Sequence, residues 1–376
     1  MTRRRTHLAA LFLLLPAAQA AAAGIFERSV AGARDALVAR GLGPDEVVVP
    51  FDLTPEILAW LDDHTVPGMS QDGQVKVYLR ELQSPKGKGL TYDRGYTGTA
   101  QEVFSSERFN CLGFSNLFIG LARHLGLDAY YLRINRIERY GQEAGFVVAS
   151  SHITAAYGPL SNRVVLEFGF EGDDAYQTGK RISDLQAIAL FYTNRGTEML
   201  RQSDLAGAEL LLRTALDIHP QSPDAWLNLG VVLRRKGDVE EAEGAYHRAL
   251  DHDPQLVSAY YNLSVLYRIR GDRDRARKTL EAVDRRSNRN PYTYLSLGDL
   301  SMVHGDHEDA ERYYRRALKL KRDDQEIQAA LGLWAVEAGD LREARRRLQK
   351  AEELEGESPR VQRLMERLQG ATDSQV

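Results

Sequence analysis

Cysteine is nearly absent: the 376-residue chain has one, Cys111. That excludes an intrachain disulfide framework and any metal site built on paired cysteines. HExxH, CxxC-pair and EF-hand patterns are missing too, and His304 and His307 sit in a glycine-containing turn, so no metal or cofactor is expected. Positive charge is not in excess. The formal net charge is -4, and it becomes -7 if a leader carrying Arg3, Arg4 and Arg5 is removed, which argues against a nucleic-acid partner. Long apolar runs are also lacking: Leu8 to Leu15 is too short to span a bilayer. Behind the three arginines, and followed by Ala18-Gln19-Ala20 and further alanines, that run reads instead as a cleavable signal peptide over residues 1–23. No cysteine follows it to carry a lipid, so a periplasmic or secreted protein is expected. With 43% hydrophobic and 27% charged residues, the rest is ordinary globular sequence, long enough for two or three domains.

What is present centres on residues 106–134. Asn110 is an N-cap, Phe114, Leu117, Phe118, Leu121, Ala122 and Leu125 recur at helical spacing, and Gly126 ends the helix. Cys111 therefore opens the helix, where free N–H groups and the dipole favour a thiolate. The alternative is a small buried apolar side chain. Before it, helices are expected over about 24–40, from Thr54 and Pro55 through Leu61, and over about 73–82, with a short strand at Val47 to Phe51 and a capping box from Thr99 to Glu102. After it come strands over 129–137, 146–157 and 163–170. If Gly158-Pro159-Leu160-Ser161 is the hairpin loop, Tyr157 faces Asn162 and His152 lies opposite Glu167.

A thiol at a helix start, an imidazole on one strand and a carboxylate on the next have the parts of a nucleophile, a base and an orienter. His124 lies thirteen residues along the cysteine's own helix, about 20 Å away at 1.5 Å per residue, and cannot be the base. His64, Asp173 and Asp174 remain alternatives without a strand partner.

The segment Phe109 to Phe118, continued by Leu121 to Ala129, resembles the cysteine-helix block of the transglutaminase-like superfamily. Ser151-His152-Ile153 and Val165-Leu166-Glu167-Phe168 resemble its His and Asp blocks, in the same order, so the resemblance spans about 70–175. It implies a papain-like α+β domain with Cys111 as nucleophile, His152 as base and Glu167 as third member, the last standing where the family usually has Asp. The implied chemistry is thiol-dependent amide cleavage or acyl transfer.

From Ala189 a period of 34 fits five units without a gap, 189–222, 223–256, 257–290, 291–324 and 325–358, which is the tetratricopeptide repeat (TPR) period. Position 20 is alanine in every unit (Ala208, Ala242, Ala276, Ala310, Ala344). Position 8 is small (Gly196, Gly230, Ser264, Gly298, Gly332), and position 24 is large (Leu212, Tyr246, Leu280, Tyr314, Leu348). An all-α superhelical solenoid follows, with a capping helix and tail over 359–376. Asn194, Asn228 and Asn262 at position 6 resemble the amide ladder with which such grooves hold an extended peptide.

The expected architecture is thus a signal peptide (1–23), an α+β transglutaminase-like domain (24–185) and five TPR repeats docked onto it without a flexible linker. The expected partner is a protein or peptide in the TPR groove. The oligomeric state stays open. A catalytically inactive periplasmic scaffold acting through its repeats is the alternative to the enzyme.

Overall fold

A computed structural model describes residues 29–134, 152–160, 163–166, 179–286, 291–303, 305–354 and 358–373. The expected signal peptide lies outside them. Three short helices come first: α1 (Val30–Val38), α2 (Pro55–Asp63) and α3 (Gln71–Gln83). Their buried residues include Leu37, Ile57, Leu61, Val75, Tyr78 and Leu82. Val47 to Phe51 is not a strand. Val47, Val49 and Phe51 are buried, but the Pro50 carbonyl accepts from Ala100 and the Val48 N–H donates to the Tyr192 hydroxyl, so no ladder forms. Apolar alternation reports burial on one side, and it cannot report whether a partner strand exists.

The helix α4 (Ala100–Ser106) opens with the expected Thr99/Glu102 capping box. Two-residue strands β1 (Thr91–Tyr92) and β2 (Arg108–Phe109) pair in parallel just before α5 (Cys111–His124). Gly126, at φ +78°, turns the chain out of α5 into β3 (Ala129–Ile134). β3 pairs antiparallel with β4 (His152–Tyr157), and the four-stranded sheet is completed by β5 (Val164–Val165) beside β4 and β6 (Lys180–Ile182) beside β3. The hairpin register differs from the expected one. Tyr157 pairs with Val164 and Ala156 with Val165, so pairing starts two residues later than a four-residue loop allows.

Ser183 caps α6 (Asp184–Arg201), the first helix of the solenoid, through a capping box with Gln186. Helices then alternate as α7 (Leu205–Ile218), α8 (Pro223–Lys236), α9 (Val239–His252), α10 (Val257–Ile269), α11 (Arg273–Arg286), α12 (Pro291–Val303), α13 (His307–Leu320), α14 (Gln325–Glu337) and α15 (Leu341–Glu352), closed by α16 (Pro359–Asp373). In the first, second and fourth repeats the glycine at position 8 receives the large residue at position 24 of the same repeat, whereas Gly332 of the fifth faces Leu364 of α16. A Cβ on Gly196 would stand 2.9 Å from Leu212 Cγ, and one on Gly230 2.5 Å from Tyr246 Cε1. Apolar burial is continuous from Ala33 in the N-terminal half to Ala276 in the third repeat.

The two halves are joined by ion pairs. Arg123, in the last turn of α5, donates to both carboxylate oxygens of Asp184 at 2.6 and 2.9 Å and to the Ala129 carbonyl at 3.1 and 3.0 Å. Arg133 of β3 pairs with Asp224 of the second repeat at 2.6 Å.

Gly230→Ala should lower stability to urea by about 1 kcal/mol net, because overpacking outweighs the helix-propensity gain, while Gly244→Ala, with nothing near its added Cβ, should raise it by about 0.5–1 kcal/mol. Arg123→Met strands a buried carboxylate and should cost ~3–5 kcal/mol, most of it recovered in the double variant with Asp184→Leu.

Candidate functional site

The cysteine site is built on Asn110. Its extended backbone stops α5 from starting earlier, its Oδ1 accepts from the Gly113 N–H at 2.9 Å, and its Nδ2 donates to Thr97 Oγ1 at 2.7 Å. Cys111 is therefore the first helical residue, at the end where backbone N–H groups have no intrahelical acceptor. One turn on, Asn116 donates to the Gly98 carbonyl at 3.0 Å and accepts from the Tyr131 hydroxyl at 2.9 Å, tying the helix to loop 95–99 on one side and to β3 on the other. Gly98 and Gly113 permit the close approach: a Cβ on Gly113 would lie 3.1 Å from the Gly98 nitrogen.

The solenoid reaches the same loop. Glu198 of α6 accepts from the Thr97 N–H at 2.7 Å, and Arg195 donates to the Thr97 carbonyl at 3.4 Å while pairing with Glu102 at 3.6 Å. Burial pushes the Glu198 carboxyl above its ordinary value, against the Thr97 hydrogen bond. A hydrogen-bonded chain Glu198–Thr97–Asn110–Gly113 thus runs from the first repeat to the first turn carrying Cys111. Thr97 and Glu198 were not among the candidates read from the sequence. The available signal was Glu198 at position 10, which is Val232, Leu266, Leu300 and Trp334 in the other repeats.

The Cys111 side chain is half-buried. Burial pushes its thiol above the ordinary value, opposed by the backbone N–H groups of Ile153, Leu112 and Cys111 itself and by the positive charge of Arg94. The helix-start effect expected from position alone is present, but desolvation outweighs it. Ile153 directly follows His152, so β4 runs past the sulfur, and His152 is the first residue of that strand, its backbone paired with Ile134. The His152 side chain and all of Glu167 lie outside the described residues, as do Asp173 and Asp174. The count that set His152 opposite Glu167 assumed a register two places from the one found. His64 is engaged elsewhere, with Nδ1 2.8 Å from the Trp60 carbonyl and its ring stacked on Trp60 at 4.3 Å.

The three asparagines of the proposed ladder are not an open row. Asn228 is fully buried and donates to Thr197 Oγ1 at 3.1 Å, and Asn262 is 4% exposed. Only Asn194 is half-buried. Among the described residues no three His, Cys, Asp or Glu side chains converge as metal ligands, and no helix is long and apolar enough to cross a membrane.

Comparison with known proteins bears on the repeats. Tetratricopeptide repeat family models match residues 193–257, 233–300 and 301–368. A search of curated proteins gives no match. Among solved structures, the chain is similar to PilF of Pseudomonas aeruginosa, with 21% identity over 51% of this chain and 87% of that one and a TM-score of 0.31. It is also similar to a thermophilic TPR protein of Thermus thermophilus, with 25% identity over 49% and 98% and a TM-score of 0.34. A third is a tetratricopeptide repeat protein of Parabacteroides merdae, with 18% identity over 49% and 72% and a TM-score of 0.33. The carboxy-terminal half is a TPR array; the amino-terminal half is an α+β unit docked on it.

The thiol environment is testable directly. The rate of Cys111 alkylation by iodoacetamide should rise with pH through a midpoint above the ~8.5 of a free cysteine, and Asn110→Ala, which removes the cap, should lower stability by ~1 kcal/mol.

Proposed function

We propose that this protein is a scaffold that recruits a protein partner through its TPR array, with the α+β unit fixed rigidly to the first repeat. The reading is carried by the repeats themselves: each stacks its first helix beside the next, which is the architecture that presents an extended surface to partner chains. Docking by Arg123–Asp184 and Arg133–Asp224 supports the rigidity, because a recruited partner is then held at a fixed position relative to the Cys111 site. Export through the signal over residues 1–23 belongs to the same proposal, which places the scaffold in the periplasm or outside the cell.

A second reading is favoured by one observation, the Ile153 N–H at the Cys111 sulfur, which sets the strand beginning at His152 beside the thiol. In this reading the protein performs thiol-dependent acyl chemistry on the recruited chain: Cys111 attacks an amide carbonyl, His152 takes the thiol proton and passes it to the amine that leaves as the C–N bond breaks, Glu167 orients the imidazole, and water or a second amine then releases the acyl group from sulfur.

The two separate cleanly. A photo-crosslinking residue placed at Arg235 on the first-helix side should give one discrete protein adduct in cells, and the same residue at Lys278 should give none. Absence of an adduct at every first-helix position overturns the scaffold. Thiol chemistry requires in addition an acyl adduct on Cys111, visible by mass spectrometry and lost in His152→Ala. A sulfur that reacts only at high pH, equally fast with and without His152, rules it out.

A further inference from the structure

Position 4 of the repeats, where a first helix packs beside the second helices, is Tyr192, Trp226, Tyr260 and Tyr294 in the first four units and Gln328 in the fifth. Two of the earlier aromatics are covered by cations from a second helix, with Arg248 4.8 Å from the Trp226 ring and Arg316 4.6 Å from the Tyr294 ring. In the fifth repeat, where Gln328 takes the place of the ring, a cavity of about 590 Å³ lies between α13, α14 and α15. Its walls carry five cations, Arg315, Lys319, Arg322, Arg347 and Lys350, against two carboxylates, Asp323 and Glu353.

Arg347 is the built part of this site. It stands at position 23, where the other repeats have Leu211, Ala245, Thr279 and Tyr313, and it is only 6% exposed. Its Nε donates to Glu343 at 2.7 Å and its Nη1 to Gln328 Oε1 at 2.9 Å, while the Gln328 amide donates to the Arg322 carbonyl at 2.8 Å. The guanidinium is thus clamped in one orientation with Nη2 left without a hydrogen-bond partner among the described residues. Glu343 is shared with Arg346, so one carboxylate faces two guanidiniums. Arg315 pairs with Glu311, but Lys319, Arg322 and Lys350 have no carboxylate partner among the described residues.

We propose that this cavity binds a carboxylate-rich peptide segment of a partner protein, with Arg347 as the fixed anchor and Lys319, Arg322 and Lys350 as the rim. A clamped guanidinium offers a planar donor to a carboxylate at little ordering cost, and flexible cations around it raise the local potential. The volume falls in the range of ligand pockets and exceeds what one small anion fills. The cations come from three separate elements, so a chain bearing several carboxylates satisfies them together. The cavity lies on the side of the second helices, apart from the first-helix groove. The inference rests on the recruiting role of the array and adds a chemical class to it.

The test uses the full chain and a fluorescein-labelled hexaglutamate peptide, read by anisotropy. Arg322→Glu and Lys350→Glu, both at exposed positions, should each weaken binding about tenfold or more. Lys278→Glu, the same charge change on α11, should leave it within about twofold. Gln328→Tyr, which removes the Oε1 acceptor that holds Arg347 and narrows the cavity beside it, should weaken binding about tenfold or more while circular dichroism stays unchanged. Equal losses in all three charge reversals, no loss in any, or full displacement of the peptide by equimolar inorganic phosphate would overturn the proposal. The crosslink at Arg235 should survive Lys350→Glu, so failure of this site is distinguishable from failure of the scaffold.

Discussion

The guanidinium of Arg123 against the carboxylate of Asp184 fixes the relation of everything else. Arg123 lies in the last turn of the cysteine helix and Asp184 in the first turn of the first repeat helix, so each charge also faces the favourable end of its own helix dipole. The same guanidinium holds the Ala129 carbonyl at the start of β3 and lies 5.0 Å from the Phe51 ring. One side chain thereby sets the angle between helix, sheet and solenoid. Desolvation offsets much of the attraction in such a pair, so its contribution is to geometry more than to net stability. The stabilisation comes from the apolar burial that this geometry permits.

That burial makes the first repeat unlike the others. Its first helix is covered on one side by α7 and α8 and on the other by the α+β unit, and Leu185, Ile188, Leu190, Phe191 and Tyr192 are all buried. In an isolated array a terminal repeat needs a polar outer face. Here the α+β unit takes that place at one end, and α16 takes it at the other, with Arg360 bridging Asp299 at 2.8 and 2.9 Å and Glu326 at 3.1 Å. Glu198 and Arg195 of the first repeat hold Thr97, which in turn holds Asn110, the cap of the turn that carries Cys111.

The repeats were legible in the sequence because each repeat solves the same packing problem. A methyl at position 20, a small residue at position 8 and a large one at position 24 recur wherever two helices cross, and the caps Asn110, Thr99 and Ser183 are local enough to be read from three or four residues. The sheet was less legible. β1, β2, β5 and β6 are two or three residues long, too short for a period of two to show, and the hairpin register depended on a loop length that composition does not set. The direction of the thiol shift was hidden for a different reason: the helix start can be read from residues 110–113, whereas the burial that outweighs it depends on which elements pack around the sulfur, which no local pattern carries. Glu198 and Gln328 are visible only as departures from repeat positions whose other occupants are apolar or aromatic.

The sulfur of Cys111 carries opposed influences whose balance depends on its charge state. Three backbone N–H groups and Arg94 do little for a neutral thiol but stabilise a negative sulfur, while the burial that leaves the neutral form undisturbed penalises the ion. At rest the burial is larger. The donors are nonetheless already aimed, held by Asn110, by the helix and by the strand through Ile153, so they need no reorganisation when charge develops at that point. The site is therefore quiet toward small reagents in the dilute protein and organised toward any event that brings a proton acceptor to the sulfur. The cap beside two of those donors is itself held by Thr97, and Thr97 by Glu198, so the first repeat contributes to the placement of the first turn.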